Sequence, residues 1–197
     1  MKSEPGPLPR PPGAVPGEAR GPWRVNETRE VYKNPWIRVR EDAVTRPDGK
    51  PGIYGVVEFE PAVAIVALTD EGDVYLVGQF RYPTQSFSWE VIEGYALAHE
   101  SPLEAARREL REESGLSAAE WTELGHIEIS NSVTDQIGFM FLARGLTQGE
   151  SSPDETEQLT LTKAPFREAL AAARDGAIFD AFSLCALLRA AAHLGVI

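Results

Sequence analysis

Three glutamates fall within five residues of this chain, Glu109, Glu112 and Glu113, inside the segment Gly94–Leu116, which reads GYALAHESPLEAARRELREESGL. They occupy positions i, i+3 and i+4, a spacing that puts all three carboxylates on one face if the segment is helical. The local chemistry supports a helix. Ser101 and Glu104 form a capping-box pair, Pro102 stands at the first helical position, and Gly115 follows the last periodic residue. At 100° per residue, Leu103, Ala106 and Leu110 form a core-facing stripe. Glu109 and Glu113 flank that stripe, Glu112 lies slightly further round, and Glu104, Arg107, Arg108 and Arg111 take the solvent side. Crowded carboxylates repel one another, so a helix that keeps them at the edge of its core is suited to a hard divalent cation. The alternative is a solvated face laced by i, i+4 pairs such as Arg108 with Glu104 or Glu112.

The wider spacing separates these alternatives. Gly94, Glu100, Arg108–Glu109–Leu110, Glu112–Glu113 and Gly115–Leu116 together resemble the Nudix box at every specified position. The resemblance implies an α/β fold: a Nudix-type α/β/α sandwich with a mixed sheet, preceded by a small antiparallel N-terminal meander. It also implies a Mg²⁺-dependent hydrolase of pyrophosphate bonds, with Mn²⁺ able to substitute. On that basis Glu109 and Glu113 are the leading metal ligands, and Glu112 bridges or binds a further metal. The backbone carbonyl of Glu93 is an additional ligand candidate. Arg108 orients the carboxylates, and Glu100 is structural or supports the ligands.

Composition bounds the rest. At 197 residues with ordinary apolar content, the chain is long enough for one domain with a small appendage. Its net charge of −11 argues against a nucleic-acid partner, which calls for a basic surface. It does not exclude a single nucleotide held through metal. One cysteine, Cys185 in an apolar helical run, excludes an intramolecular disulfide and is expected to be a buried structural thiol. No apolar run reaches membrane-spanning length, and the N-terminus has no signal-peptide core, so a cytoplasmic enzyme is expected.

Residues 1–22 hold seven prolines and four glycines and read as a flexible tail. Residues 23–60 read as N-terminal antiparallel strands (Thr28–Tyr32, Trp36–Ala43, Ile53–Phe59), with turns at Asn34–Pro35 and Pro47–Asp48–Gly49. Such a meander helps form a homodimer in the ADP-ribose pyrophosphatase branch that the chain resembles. From the residues alone it equally fits an edge extension of the main sheet. Residues 61–197 read as the catalytic domain. Ala62–Leu68 is expected to be a buried central strand, and Val74–Tyr82, Ser86–Ile92, Trp121–Ile129, Ile137–Leu142 and Gln158–Thr162 to be further strands. Gly145–Glu155 reads as a polar loop, and Phe166–Asp175 and Asp180–Leu194 as helices.

Four other regions carry candidate chemistry. Asp154–Glu155–Thr156–Glu157 resembles the acidic loop of ADP-ribose pyrophosphatases, which implies Glu155 as general base and Glu157 as a metal or water partner; a solvated acidic loop is the alternative. In Gln79–Phe80–Arg81–Tyr82–Pro83, Arg81 can meet a phosphate bidentately and Tyr82 can stack on a base or ribose. Glu90 takes the place of the glutamate in that branch's E-L-P-A-G sequence, and the resemblance counts it with Arg81 and Tyr82 as a substrate-binding candidate. Here the text is Glu90–Val91–Ile92–Glu93–Gly94, which adds a carboxylate beside the metal loop. Asp135, at the end of Ser130–Asp135, is a candidate for a sugar or ribose site; that stretch also fits an Asx-type turn. The scattered His99, His126 and His193 support no zinc site.

The expected activity is therefore hydrolysis of a nucleoside diphosphate linked to another moiety, ADP-ribose or a nucleotide sugar, with release of a nucleoside monophosphate. The alternatives are a nucleoside triphosphate pyrophosphohydrolase and a non-catalytic Nudix-fold nucleotide sensor.

Overall fold

The computed structural model describes residues 15–149 and 158–197, which divide into two compact units. The first comprises the chain up to Glu60 together with Glu128–Gln136; the second comprises Pro61–Ile127 and Ile137–Ile197.

The first unit is an antiparallel sheet of β1 (Ala19–Arg20), β2 (Trp23–Lys33), β3 (Ile37–Thr45) and β4 (Pro51–Phe59), paired in sequence order. Pairing begins upstream of Trp23, because Ala19 and Arg20 align with Arg24 and Trp23. Asn34 makes the first turn by accepting the Trp36 and Ile37 amides on its side chain. Gly49 makes the second with φ near +80°. Strand β3 alternates, so Arg40, Asp42 and Val44 share one buried face. Residues 130–135 run along β4. The Val57 amide donates to the Val133 carbonyl at 2.9 Å, and the Tyr54 hydroxyl donates to the Ser132 carbonyl at 2.9 Å.

In the second unit, β5 (Ala62–Ala67) is buried along its whole length, as its unbroken apolar run requires. It pairs in parallel with β10 (Ile137–Gln148) and antiparallel with β8 (Ile92–Tyr95), and β9 (Leu116–Glu128) completes a mixed sheet in the order β8-β5-β10-β9. A second sheet joins β11 (Thr160–Pro165), β6 (Asp73–Arg81) and β7 (Ser86–Glu90). Helix α1 (Pro102–Ser114) packs Ala105, Ala106 and Leu110 against Val63, Ile65 and Ala67 of β5. The alternate β5 residues face the other way, and α3 (Ala181–His193) also packs on this strand; α2 (Phe166–Asp175) packs on α3. The described residues thus give a mixed α/β fold.

The expected extended piece Ser86–Ile92 is in fact two strands, because the chain leaves one sheet after Glu90 and enters the other at Ile92. Gly145–Gln148, expected to be loop, continues β10; residues 150–157, with Glu155 and Glu157, lie outside the described residues. Cys185 is half-buried rather than buried. No helix among the described residues is long and apolar enough to cross a membrane.

Candidate active site

Helix α1 carries the glutamate cluster, and its ends are fixed as the sequence requires. Ser101 accepts the Glu104 amide, the Glu104 carboxylate accepts the Ser101 amide at 2.8 Å, and Gly115 closes the helix with φ near +71°. Glu113 faces inward at 8% exposure, whereas the Glu112 side chain is 38% exposed and that of Glu109 is 13% exposed. The three therefore straddle the boundary between core and solvent.

Gly94 on β8 makes this arrangement possible. A Cβ built there would overlap the carboxyl carbon and both oxygens of Glu109, so any larger residue at 94 would displace that carboxylate. The glycine seat and the glutamate lie 15 residues apart in sequence, and the pairing of β8 with β5 beneath α1 brings them together.

Arg108 does not lie on the solvent side of the helix as periodicity alone implied; its side chain is only 19% exposed. Its Nη1 donates to Glu109 at 2.8 Å and to Glu112 at 2.9 Å. Its Nε and Nη2 form a fork onto the two Glu100 oxygens at 2.9 and 3.0 Å, and Nη2 also donates to the Tyr95 carbonyl at 2.7 Å. These bonds hold the Glu100 carboxyl below the usual carboxylate range, chiefly through the Arg108 contact, and raise the Arg108 guanidinium further above its ordinary value. Glu100 and Tyr95 anchor Arg108 independently of the cluster, so it can orient Glu109 and Glu112.

Glu93, beside the glycine seat, pairs with Ala64 in the sheet, and its side chain reaches α3. The Ser183 hydroxyl donates to Glu93 Oε1 at 2.7 Å. Burial, first, and then the nearby Asp180 and Glu90 carboxylates push the Glu93 carboxyl well above its ordinary value, against the opposing Ser183 bond. The carboxyl that departs from the E-L-P-A-G sequence of the resembled branch thus has its charged form disfavoured. Sequence reasoning missed Ser183 and Asp180, which lie about 90 residues downstream on a helix with no motif. The only available signal was the unexpected charge at Glu93.

Arg81 forms a fork with Glu90: Nε donates to Oε1 at 3.0 Å, and Nη2 makes a close contact with Oε2. Glu90 is 2% exposed and also accepts Gln79 Nε2. Tyr82 is 86% exposed. Asp135 belongs to the first unit, where its Oδ1 accepts the Phe59 amide at 3.0 Å.

The donor set suits a hard divalent cation: carboxylate oxygens on one face, beside a glycine strand whose missing Cβ leaves room for one of them. Among the described residues, no three acidic, histidine or cysteine side chains already converge at metal-ligating distances. Glu109 and Glu112 instead each contact Arg108.

Residues 58–182 match the NUDIX domain model, and residues 23–57 match the nucleoside diphosphate sugar hydrolase N-terminal domain. The methanol dehydrogenase activator of Bacillus methanolicus is 28% identical, over 82% of this chain and 88% of its own. ADP-ribose pyrophosphatases of Bacillus subtilis and Mycobacterium tuberculosis are 30% and 33% identical, over 77% and 76% of this chain and 83% and 74% of theirs. The crystal structure of an ADP compounds hydrolase shares the fold, with a TM-score of 0.80 at 22% identity over 91% of this chain and 97% of that one. With the box glutamates, the glycine seat and the arginine clamp in place, the chain belongs to the Nudix hydrolase family.

Proposed function

We propose that the chain hydrolyses the pyrophosphate bond of a nucleoside diphosphate joined to another moiety, ADP-ribose or a nucleotide sugar, and releases a nucleoside monophosphate. The observation that carries this reading is the seating of Glu109 against Gly94 beside Glu112 and Glu113 on one helix face. The N-terminal domain match and the two ADP-ribose pyrophosphatase relatives support the substrate class.

Glu109, Glu112 and Glu113 would hold Mg²⁺, or Mn²⁺ in its place, with the Glu93 carbonyl as a further ligand. When bound, such a cation neutralises phosphate charge and lowers the pKa of water. Arg108, anchored by Glu100 and the Tyr95 carbonyl and bonded to Glu109 and Glu112, would orient these carboxylates for such a cation. Arg81, preset by Glu90, has a side chain 42% exposed and can present its free edge to a phosphate; Tyr82 is open for stacking. Glu155 is assigned as general base and Glu157 as its partner from the acidic pattern in the sequence. A cytoplasmic homodimer is the proposed form; its dimeric state is supported by the exposed apolar side chains Val31, Tyr32 and Ile53 on the N-terminal sheet and Trp36 in its first turn.

A Mg²⁺-supplemented panel of ADP-ribose, GDP-mannose, UDP-glucose, diadenosine polyphosphates and dNTPs tests the reading. Nucleoside monophosphate from a diphosphate-linked substrate is expected. Pyrophosphate from dNTPs alone would instead identify a triphosphate pyrophosphohydrolase, and tight binding without turnover would identify a sensor.

A further inference from the structure

Val91 stands where the chain passes from β7 in one sheet to β8 in the other. A backbone amide at such a corner lies outside both ladders and must find a partner elsewhere when buried. Val91 is 1% exposed, and its amide donates to the Ser183 hydroxyl at 3.0 Å. The same hydroxyl donates to Glu93 Oε1 at 2.7 Å. Ser183 is fully buried, and its own amide is tied to Asp180 Oδ2 at 2.7 Å at the start of α3. One hydroxyl thus links residues 91 and 93, immediately before the Gly94 seat.

We propose that Ser183 is a positioning residue for the hydrolytic site: from α3 it fixes the Val91–Glu93 corner and thereby the placement of Gly94 beneath Glu109. This rests on the cation-dependent hydrolase reading above. Glu109 has no room to spare at Gly94, so a small shift of that strand moves the carboxylate. Loss of the hydroxyl leaves the Val91 amide and the Glu93 carboxyl without this shared bond in a closed interior, and the corner relaxes.

The test compares the full chain with Ser183→Ala, Glu93→Ala and the double variant. The readouts are amide hydrogen exchange at Val91 without metal, Mn²⁺ affinity of the free protein, and the Mg²⁺ dependence of turnover. Ser183→Ala is expected to accelerate Val91 exchange and to weaken Mn²⁺ binding by about 10–100-fold, as loss of a ligand-supporting partner typically does. Glu93→Ala should act in the same direction, with the double variant little worse than either single one. Unchanged Mn²⁺ affinity in folded Ser183→Ala, or fully additive losses, would overturn the proposal. Absence of Mn²⁺ binding in the unmodified chain would overturn the hydrolase reading itself, while Val91 exchange would still report on the corner.

Discussion

Gly94→Ala separates stability from catalysis at this site. No left-handed backbone is required at Gly94, so alanine brings no conformational strain and lowers unfolded-state entropy, a gain of about 0.4–1 kcal/mol. Against this, the new Cβ occupies the space of the Glu109 carboxylate, which must rotate away and give up its 2.8 Å bond from Arg108. A charge-assisted hydrogen bond contributes about 1.5–3 kcal/mol, towards the lower end for a partly exposed pair. The net loss is therefore about 1 kcal/mol, or roughly 2–4 °C in melting temperature for a chain of this size. The catalytic effect should be far larger, because displacing a group by about 1 Å can lower the rate 10²-fold. Calorimetric melting and steady-state hydrolysis on the same preparation measure both. Wild-type turnover in Gly94→Ala would refute the claim that Glu109 must sit in the glycine seat. A loss of activity fully explained by unfolding would refute it as well.

Three further outcomes follow from the same geometry. Glu112→Gln and Glu113→Gln should each lower turnover by about 10²-fold or more while keeping the wild-type circular dichroism spectrum, since metal charge stabilisation amounts to several kcal/mol. Arg108→Ala should lower stability by about 2 kcal/mol, because it removes the fork on Glu100 from a largely covered position. The depressed Glu100 carboxyl makes that contribution complete above the unfolded carboxylate pKa of about 4.3, and it is lost as pH falls through the folded value. The gap between wild type and variant in urea melts should therefore close on acidification. Glu93 has the opposite sign: its raised pKa costs stability as pH climbs from about 4.3 towards the folded value. Glu93→Gln should thus gain stability relative to wild type as pH rises above the unfolded carboxylate value of about 4.3, and a pH-independent difference would contradict that assignment.

What the sequence made legible was local. Ser101, Pro102, Glu104 and Gly115 delimit α1 within the chain itself, because capping uses partners three or four residues away. The β5 run announced a buried strand for the same reason. Partners set by tertiary packing were not legible. Periodicity put Arg108 in solvent, yet the Tyr95 carbonyl and Glu100 draw it inward. Likewise, nothing near Glu93 indicated Ser183, and the break at Val91 between two sheets is invisible in Trp89–Glu90–Val91–Ile92–Glu93, which has no Gly, Pro or Asn to mark a turn. Gly94 was identified through the box pattern, but the reason for a glycine there appears only when Glu109 arrives from α1.

The most direct test of the central claim is hydrolysis of ADP-ribose with Mg²⁺ in H₂¹⁸O. Equimolar AMP and ribose 5-phosphate, with the label on the phosphate of one product, are predicted. No cleavage of ADP-ribose or of any nucleotide sugar, with pyrophosphate released only from nucleoside triphosphates, would contradict the account.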